Sequence, residues 1–530
     1  MRRMNFETEY ADHQKLIAAL RDPGCYPHAV KAVRLIETHI SWVLLAGRYA
    51  YKIKKPVDPG FLDFSTLALR KHFCEEEIRL NRRLAPEIYR DVVAIGGTLE
   101  APQFGAQPVL EYAVRMRRFP AGRLFDTLLA RHRLSPAHID QLAQTLAEFH
   151  QRIPAATARS RFGKATVLRR EIADNFSALQ MLLPEQSAAF SRQLHARLQA
   201  ELDARGELMA ARKRDGFVRE CHGDLHLGNL VLSGDRPVPF DGIEFDPALR
   251  WIDIIDDIAF PVMDLWQHDR PDLAWRLLNG WLEITGDFAG LALLPLYMAN
   301  RALVRAKVHA LRAVQPGLRP REGATLQATA RRYLDCAAQA LHPPPPALII
   351  THGLPGSGKT TFSQTALEHL GAIRLRSDVE RKRLYGLPPL ADSHRVLGGD
   401  VLYSTDATAR TYARLLELAA QLLAAGFRVI VDAAFLKREE RRGFQMLARQ
   451  RGVPFVIADM TADMDVLRAR IRQRQATGCD ASEADVAVLE KLAQSQEPLA
   501  PEETAARIDG AAEASLWEAL TRRLADTAPG

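Results

Sequence analysis

The sequence predicts two domains of mixed structure, an α+β domain followed by an α/β domain with a doubly wound parallel sheet. Strand-like segments open the first half of the 530-residue chain, and helical segments complete it. Four consecutive prolines, Pro343–Pro346, then interrupt the pattern, because proline cannot continue a helix and favours an extended conformation. Beyond them strands and helices alternate, which is typical of a parallel sheet covered by helices. We therefore expect domains at residues 1–342 and 347–530, joined by a linker at 343–346.

The composition indicates a globular protein, with 47% hydrophobic and 25% charged residues. Its net charge of +7 favours anionic ligands, although the arginines are scattered among glutamates rather than gathered in a basic tail. Five cysteines lie far apart without a C-x-x-C spacing, which indicates neither a disulfide framework nor a zinc site and favours a reducing compartment. No apolar run approaches the roughly 18 residues of a membrane span. We expect a cytoplasmic protein without a membrane partner.

The segment Ala347–Thr361 matches the pattern G-x-x-x-x-G-K-[ST], with a strand-like run before it and a helical pattern after it. Glycines there let backbone N–H groups converge on phosphate oxygens at a helix N-terminus, whose dipole favours negative charge. We expect Lys359 to reach the β- and γ-phosphates of ATP and Thr360 to bind Mg²⁺; the alternative is a glycine-rich turn. The predicted nucleotide-binding residues are Gly353, Leu354, Pro355, Gly356, Ser357, Gly358, Lys359, Thr360 and Thr361.

The predicted strands of the first domain bring two lysines to one face. We expect strands over residues 33–37, 42–45, 48–57, 92–95 and 109–116. In the third of these, alternation puts Ala50, Lys52 and Lys54 on the same face. A lysine two residues after a small residue resembles the V-A-I-K strand of protein kinases. Lys52 is therefore the predicted phosphate-pairing lysine, with Lys54 as the alternative. The competing interpretation is a lysine-rich edge strand protected against aggregation.

A charged helix predicted over Leu67–Leu84 supplies a partner for that lysine. Glu77 lies four residues after Phe73 and seven before the end of the helix, so it shares the apolar face. A carboxylate on a buried face needs a cationic partner. Glu77 is therefore predicted to pair with Lys52 in the nucleotide site.

A polar motif follows the helices of the first domain. His222-Gly-Asp224 is followed five residues later by Asn229 and, after the next strand, by Asp241. This set resembles the catalytic centre of aminoglycoside phosphotransferases and related kinase-like small-molecule kinases. The resemblance implies a bilobal, protein-kinase-like fold, in which Asp224 accepts the proton of the substrate hydroxyl. It also implies that Asn229 and Asp241 hold Mg²⁺ on the phosphates of ATP.

Three neighbouring residues extend this motif. Glu244 offers a second carboxylate for the metal, and Asp257 lies in a D-I-A sequence that resembles the D-L-A of the same family, whose aspartate braces the catalytic loop. We expect His226 to have a structural role. The alternative interpretation of the whole segment is a polar turn in which histidine and aspartate form capping hydrogen bonds.

The second domain contains further charged residues in places where a kinase needs them. Asp378, with Arg381 three residues on, resembles the 5′-kinase domain of polynucleotide kinases and zeta-toxin-like relatives, where the aspartate activates the acceptor hydroxyl and the arginine contacts substrate. Asp432 ends an apolar strand and matches a Walker-B position that holds Mg²⁺. Arg470 and Arg474 lie on one face of a predicted helix, which suits a lid over phosphates. The alternatives are a helix N-cap at Asp378 and a solvated arginine face.

As a whole the sequence resembles bacterial fusions of an aminoglycoside-phosphotransferase-like domain with a P-loop kinase domain. Our hypothesis is an ATP- and Mg²⁺-dependent phosphotransferase with two nucleotide sites, which transfers the γ-phosphate to a hydroxyl group. The acceptor, a small molecule or a nucleic-acid end, and the oligomeric state are left open. The alternatives are a nucleic-acid 5′-hydroxyl kinase and a nucleotide-sensing regulatory protein with one degenerate kinase domain.

Overall fold

The alternating residues of the first domain form a six-stranded antiparallel sheet in the order β1-β2-β3-β6-β4-β5. Lys52 and Lys54 lie on β3, which pairs with β2 on one side and β6 on the other. The interpretation of this segment as an edge strand is therefore wrong. The strands are β1 (Val33–Glu37), β2 (Ser41–Ala46), β3 (Tyr49–Lys54), β4 (Tyr89–Gly97), β5 (Pro102–Phe104) and β6 (Val109–Arg117).

Helix α2 (Leu67–Asn81) lies between β3 and β4 in the chain. It begins where predicted, because the Thr66 side chain accepts a hydrogen bond from the N–H of Leu69 and caps the first turn. It ends three residues before the predicted Leu84. Glu77 is fully buried, so its spacing correctly predicted an inward-facing carboxylate.

The remaining elements of residues 1–342 are mainly helical, with two short antiparallel pairs, β7 with β10 and β8 with β9. The segment from His222 to Asn229 lies between β7 and β8. The helices are α1 (Arg2–Ala19), α3 (Phe125–Ala130), α4 (Pro136–Arg152), α5 (Ala165–Leu182), α6 (Ala188–Arg214), α7 (Pro247–Arg250), α8 (Ile254–Gln267), α9 (Pro271–Thr285), α10 (Leu294–Ala313) and α11 (Pro320–Ala340), and the strands are β7 (Val218–Glu220), β8 (Leu230–Ser233), β9 (Arg236–Pro239) and β10 (Trp251–Asp253).

The second domain contains the predicted doubly wound sheet. Five strands, all paired in parallel, run in the order β12-β13-β11-β14-β15. Buried apolar residues such as Ile349, Phe362, Ile430 and Val456 form one core of this sheet. The elements are β11 (Leu348–His352), α12 (Lys359–Leu370), β12 (Ala372–Arg376), α13 (Ser377–Leu384), α14 (Thr405–Ala424), β13 (Arg428–Asp432), α15 (Arg438–Arg451), β14 (Phe455–Asp459), α16 (Met464–Thr477), α17 (Val486–Gln494), α18 (Pro501–Thr504) and β15 (Arg507–Asp509).

The chain divides into two compact units. Unit 2 contains residues from both sides of the four prolines. This computed structural model describes residues 2–58, 60, 62–183, 188–315, 317–391, 404–477, 483–504, 507–509, 517 and 520–524. Unit 1 comprises Met1–Thr145, Arg152–Glu171 and Gly206–Pro261, and unit 2 comprises Leu146–Gln151, Ile172–Arg205 and Val262–Gly530.

Cys25, Cys74, Cys221 and Cys336 are free thiols, while Cys479 lies outside the described part of the chain. Across the described ranges, no helix has both the length and the apolar character that crossing a bilayer requires.

Candidate active sites

The first candidate site, in unit 1, is built around Lys52. Its ammonium lies 2.9 Å from Glu77 Oε1 and 2.6 Å from Asp241 Oδ1. Three segments that are distant in the sequence thus meet at one cation. Although burial favours the neutral amine, the carboxylates of Asp241 and Glu77 raise the pKa of Lys52 well above its ordinary value. Lys52 is therefore a fixed positive charge beside the partly exposed Asp241.

Lys54, the alternative phosphate-pairing residue, has a different environment. It is fully buried; its ammonium lies 2.9 Å from Glu77 Oε2 and also contacts Glu244. Glu244, which the sequence offered as a second metal ligand, instead pairs with this lysine. Of the two lysines, Lys52 is the one in contact with Asp241, so the geometry favours Lys52 as the lysine that faces a nucleotide.

Asp224 and Asn229 lie together on the loop between β7 and β8. The amide nitrogen of Asn229 donates to both the backbone carbonyl and the Oδ2 atom of Asp224, at 3.0 Å each. The loop that carries Asp241 is tied to this one, because the Ile243 N–H donates to the His222 carbonyl and the Phe240 N–H to the Asn229 carbonyl. Asp224, Asn229 and Asp241 are thus held by adjoining loops.

The framework of this loop matches the roles that the family resemblance implies. Asp257 accepts the N–H groups of His222 and Gly223 at 3.1 and 2.8 Å. A Cβ atom on Gly223, whose φ is +86°, would lie 2.6 Å from the carbonyl oxygen of Leu249, so only glycine fits there. His226 accepts the N–H of Gly228 at 3.0 Å and caps a short 3-10 turn, and its Nε2 atom lies 3.6 Å from Asp224 Oδ2.

Two residues of this site were not predicted from the sequence. The Tyr89 hydroxyl accepts the N–H of Asp241 at 3.0 Å, and Asn81 Oδ1 accepts the N–H of Gly242 at 2.7 Å. They support the turn that holds Asp241 at a φ of +62°, in the left-handed region. Asn81 carried a local signal, since it lies one helical turn after Glu77 on the buried face of α2.

The donor atoms of the first site fit a magnesium ion. Asp241 offers a carboxylate whose side chain is 41% exposed. Asn229 uses its amide N–H groups on Asp224, so its amide oxygen is the atom suited to a metal. A carboxylate and an amide oxygen are ligands that Mg²⁺ accepts.

The second candidate site, in unit 2, is the loop between β11 and α12. Gly353, Gly356 and Gly358 have φ values of +140°, +83° and +100°. A Cβ atom on Gly353 would lie 2.2 Å from the carbonyl oxygen of Met460, so the loop can form only with glycine there. The Lys359 ammonium donates to the carbonyls of Gly353 and Leu354 at 2.8 Å each. The loop thus has the glycine conformations and the lysine that phosphate binding requires.

The loop opens onto a cavity of about 1650 Å³ that contains most of the predicted residues of this site. Asp432 ends β13 and accepts the Ser363 hydroxyl at 2.9 Å. Its carboxylate and the Thr360 hydroxyl are oxygen ligands of the kind that Mg²⁺ prefers, so this donor set fits the metal. The predicted residues that line the cavity are Pro355, Gly356, Ser357, Gly358, Lys359, Thr360, Thr361, Asp378, Arg381, Asp432 and Arg470.

The predicted acceptor and lid residues have distinct positions. Asp378 is the second residue of α13, whose N-cap is Arg376, so the interpretation of Asp378 as the N-cap residue is wrong. Arg470, on α16, donates to the carbonyl of Gly356 at 3.0 Å and thus contacts the phosphate loop. Arg474 belongs to the same helix, but its side chain lies outside the described part.

Comparisons with known proteins match both predicted domains. The sequence profile of the phosphotransferase enzyme family matches residues 70–294, and the AAA domain profile matches residues 348–499. The chain thus joins an aminoglycoside-phosphotransferase-like domain to a P-loop kinase domain. The Mycobacterium tuberculosis (strain ATCC 25618 / H37Rv) protein "Uncharacterized protein Rv2004c" is 32% identical over 473 residues, which cover 88% of this chain and 92% of its own. This chain belongs to the same family as Rv2004c.

Two solved structures are similar to parts of the chain. A gluconokinase from Sinorhizobium meliloti 1021 matches 34% of this chain and 94% of its own, with 20% identity and a TM-score of 0.25. The amicoumacin kinase hAmiN, solved in complex with AMP-PNP, Ca²⁺ and Ami, matches 62% of this chain and 95% of its own, with 13% identity and a TM-score of 0.39.

Proposed function

We propose that this protein is an ATP-dependent phosphotransferase with two nucleotide sites, which transfers the γ-phosphate to a hydroxyl group of a small molecule or a nucleic-acid end. One observation carries the proposal. Lys52 contacts both Glu77 and Asp241, and the loop of Asp241 is tied to that of Asp224 and Asn229. A nucleotide sensor needs the lysine and the metal ligands, but it has no need of the carboxylate at Asp224.

In the first site each residue has a separate task. Lys52 pairs with phosphate oxygens, and Glu77 holds the ammonium in position. Asp224 accepts the proton of the acceptor hydroxyl, while its bonds from Asn229 fix the carboxylate. Asn229 and Asp241 hold Mg²⁺, which when bound neutralises charge on the phosphate groups.

In the second site the backbone N–H groups of the loop bind phosphate oxygens at the N-terminus of α12. Lys359 turns from the loop carbonyls to the phosphates, and Thr360 and Asp432 hold the metal. Asp378 activates the acceptor hydroxyl, and Arg470 lies at the mouth of the loop, where a cation stabilises charge on the transferred group.

Phosphate transfer and nucleotide binding, measured in the full chain, test this proposal. Lys359→Ala serves as the background, so that the second site contributes no signal. There, Asp224→Asn should retain ATP affinity but reduce transfer from γ-labelled ATP by about 10²–10⁴-fold, the usual loss for a general base. Asp241→Asn should instead weaken Mg²⁺-dependent ATP binding, because the metal loses one charged ligand. A metabolite mixture and a 5′-hydroxyl oligonucleotide serve as acceptors. Unchanged transfer with Asp224→Asn would favour a nucleotide-sensing domain over an active kinase.

A further inference from the structure

Helix α9, which precedes the four prolines, is fitted to the P-loop sheet within unit 2. Asn279, 2% exposed, donates to the carbonyl of Ala372 at 3.0 Å and accepts the N–H of Arg374 at 2.7 Å. These atoms belong to β12, the strand at one edge of the described sheet. The amide of Asn279 thus supplies the two hydrogen bonds that a neighbouring strand would provide, and it fixes the position of α9 along β12.

The glycines that follow α9 and α12 show that α9 packs closely against neighbouring elements of unit 2. Gly286 follows α9, and a Cβ atom there would lie 2.7 Å from Arg383 Nε. Gly371 follows α12, and a Cβ atom there would lie 2.8 Å from Trp275 Nε1 on α9. Both glycines have positive φ. Each end therefore has a residue without a side chain where the other element approaches.

One acidic residue of α9 contacts the two arginines of β12. Glu283 Oε1 lies 2.5 Å from Arg374 Nη2, and its Oε2 lies 3.3 Å from Arg376 Nη1; we call this trio the Glu283 bridge. The bridge leads to Asp432. Arg374 Nη1 lies 3.4 Å from the Ser363 hydroxyl, and that hydroxyl donates a hydrogen bond to Asp432 Oδ2. Arg376 Nε lies 4.0 Å from Asp432 Oδ2.

The Glu283 carboxyl group is ionised at neutral pH. Burial alone would raise the pKa of Glu283, but Arg374 and Arg376 lower it below its ordinary value. Arg376 therefore lies between two carboxylates and is held by the nearer one. Without the charge at Glu283, electrostatic attraction would draw the Arg376 guanidinium towards Asp432.

We propose that Glu283 is a positioning residue of the P-loop site, which keeps the Arg376 guanidinium from closing the remaining 4.0 Å to Asp432 and so leaves that carboxylate available to Mg²⁺. The role rests on the proposed function of this site. It extends the site to a helix that lies before the four prolines and within the match to the phosphotransferase enzyme family. A guanidinium paired with Asp432 would compete with the metal for the same oxygen atoms.

The test is a Mg²⁺ titration of fluorescent ATP-analogue binding to the full chain, with the P-loop signal defined as the part that Lys359→Ala removes. Glu283→Gln removes the charge but keeps the size of the side chain. The Mg²⁺ concentration for half-maximal binding should rise about tenfold, the effect of one charge-assisted interaction. Combining Glu283→Gln with Arg376→Gln should lower it again, because the competing cation is gone. A merely structural role for Glu283 would not produce this reversal.

The matched control is Glu417→Gln on α14, which breaks an exposed pair with Arg414 and should leave the Mg²⁺ requirement unchanged. If Glu283→Gln does not fold, Glu283→Asp, which withdraws the charge by one methylene group, replaces it in the same comparison. A Lys359-dependent signal with the parent's Mg²⁺ requirement in the Glu283 variant would overturn the role of Glu283 alone. Absence of any Lys359-dependent signal in the parent would overturn the proposed function and this role with it.

Discussion

At the scale of single residues, Glu77 is the centre of charge in the first site. Its two oxygens accept from Lys52 and Lys54 at 2.9 Å each. Burial alone would raise the pKa of Glu77, but the two ammonium groups lower it to about 2. Loss of this carboxylate would leave two cations, one of them fully buried, with a single acidic partner each.

Glu77→Gln should therefore lower the free energy of unfolding by about 3–5 kcal/mol at pH 7, the usual cost of breaking a buried pair. The pH dependence has a definite sign. Because the pKa is lower in the folded state, the contribution of Glu77 is complete above the unfolded value of 4.5 and is lost as the pH falls towards 2. Thermal unfolding of the parent protein and of Glu77→Gln between pH 7 and pH 2.5 would show the difference between their free energies of unfolding becoming smaller as the pH falls.

Glu75→Gln, on the same helix, is the control for this prediction. Glu75 is 57% exposed and lies 3.8 Å from Lys71, so its loss should change the free energy of unfolding by no more than about 1 kcal/mol. Equal effects of the two substitutions at pH 7 would contradict the role assigned to the buried carboxylate.

At the scale of elements, the sequence predicted what local patterns determine. The two-residue period of side chains along a strand identified β3. The spacing of apolar residues along α2 predicted that Glu77 faces inward, and the glycine pattern located the loop before α12. Pairs of residues that lie far apart in the sequence and meet only in the folded protein produce no local pattern. Glu244 is 190 residues from Lys54, and Glu283 is 91 residues from Arg374. In the sequence Glu244 was predicted to be a metal ligand and Glu283 drew no prediction, and only the packing of distant elements shows their actual partners.

The loop between β11 and α12 allows a sharp test at this scale. Gly353→Ala should abolish the nucleotide binding that depends on Lys359, because the new Cβ atom would overlap the Met460 carbonyl and the loop would have to move. Gly426→Ala is the control: its φ is +89°, and the added atom meets open space. That variant should lose about 1 kcal/mol of stability and retain binding. Titration with an ATP analogue would compare the two, and full binding by Gly353→Ala would contradict the assigned geometry.

At the scale of the whole molecule, the domain boundary predicted from the four prolines differs from the boundary between the two compact units. The predicted linker at 343–346 is a break in secondary structure, and Pro343, Pro344 and Pro345 are exposed. Residues 262–342 nevertheless belong to the unit that contains the P-loop sheet. Proline marks where a helix must stop, but it carries no information about which helices pack on which sheet.

A protease site inserted among the four prolines tests this arrangement. After cleavage, the two pieces should remain together in size-exclusion chromatography, because the contacts of Asn279, Arg276 and Glu283 with the P-loop domain do not depend on the linker. Release of two separate folded pieces would show instead that these contacts are too weak to hold independent domains together.

The number of nucleotides that one chain binds tests most directly whether both sites are functional. Equilibrium dialysis of the full chain with a non-hydrolysable ATP analogue and Mg²⁺ should give two per chain. Lys359→Ala and Asp241→Asn should each reduce the number to one at moderate analogue concentration, and the double variant should bind none. One nucleotide per parent chain, with no further loss in one of the single variants, would contradict the account of two functional sites.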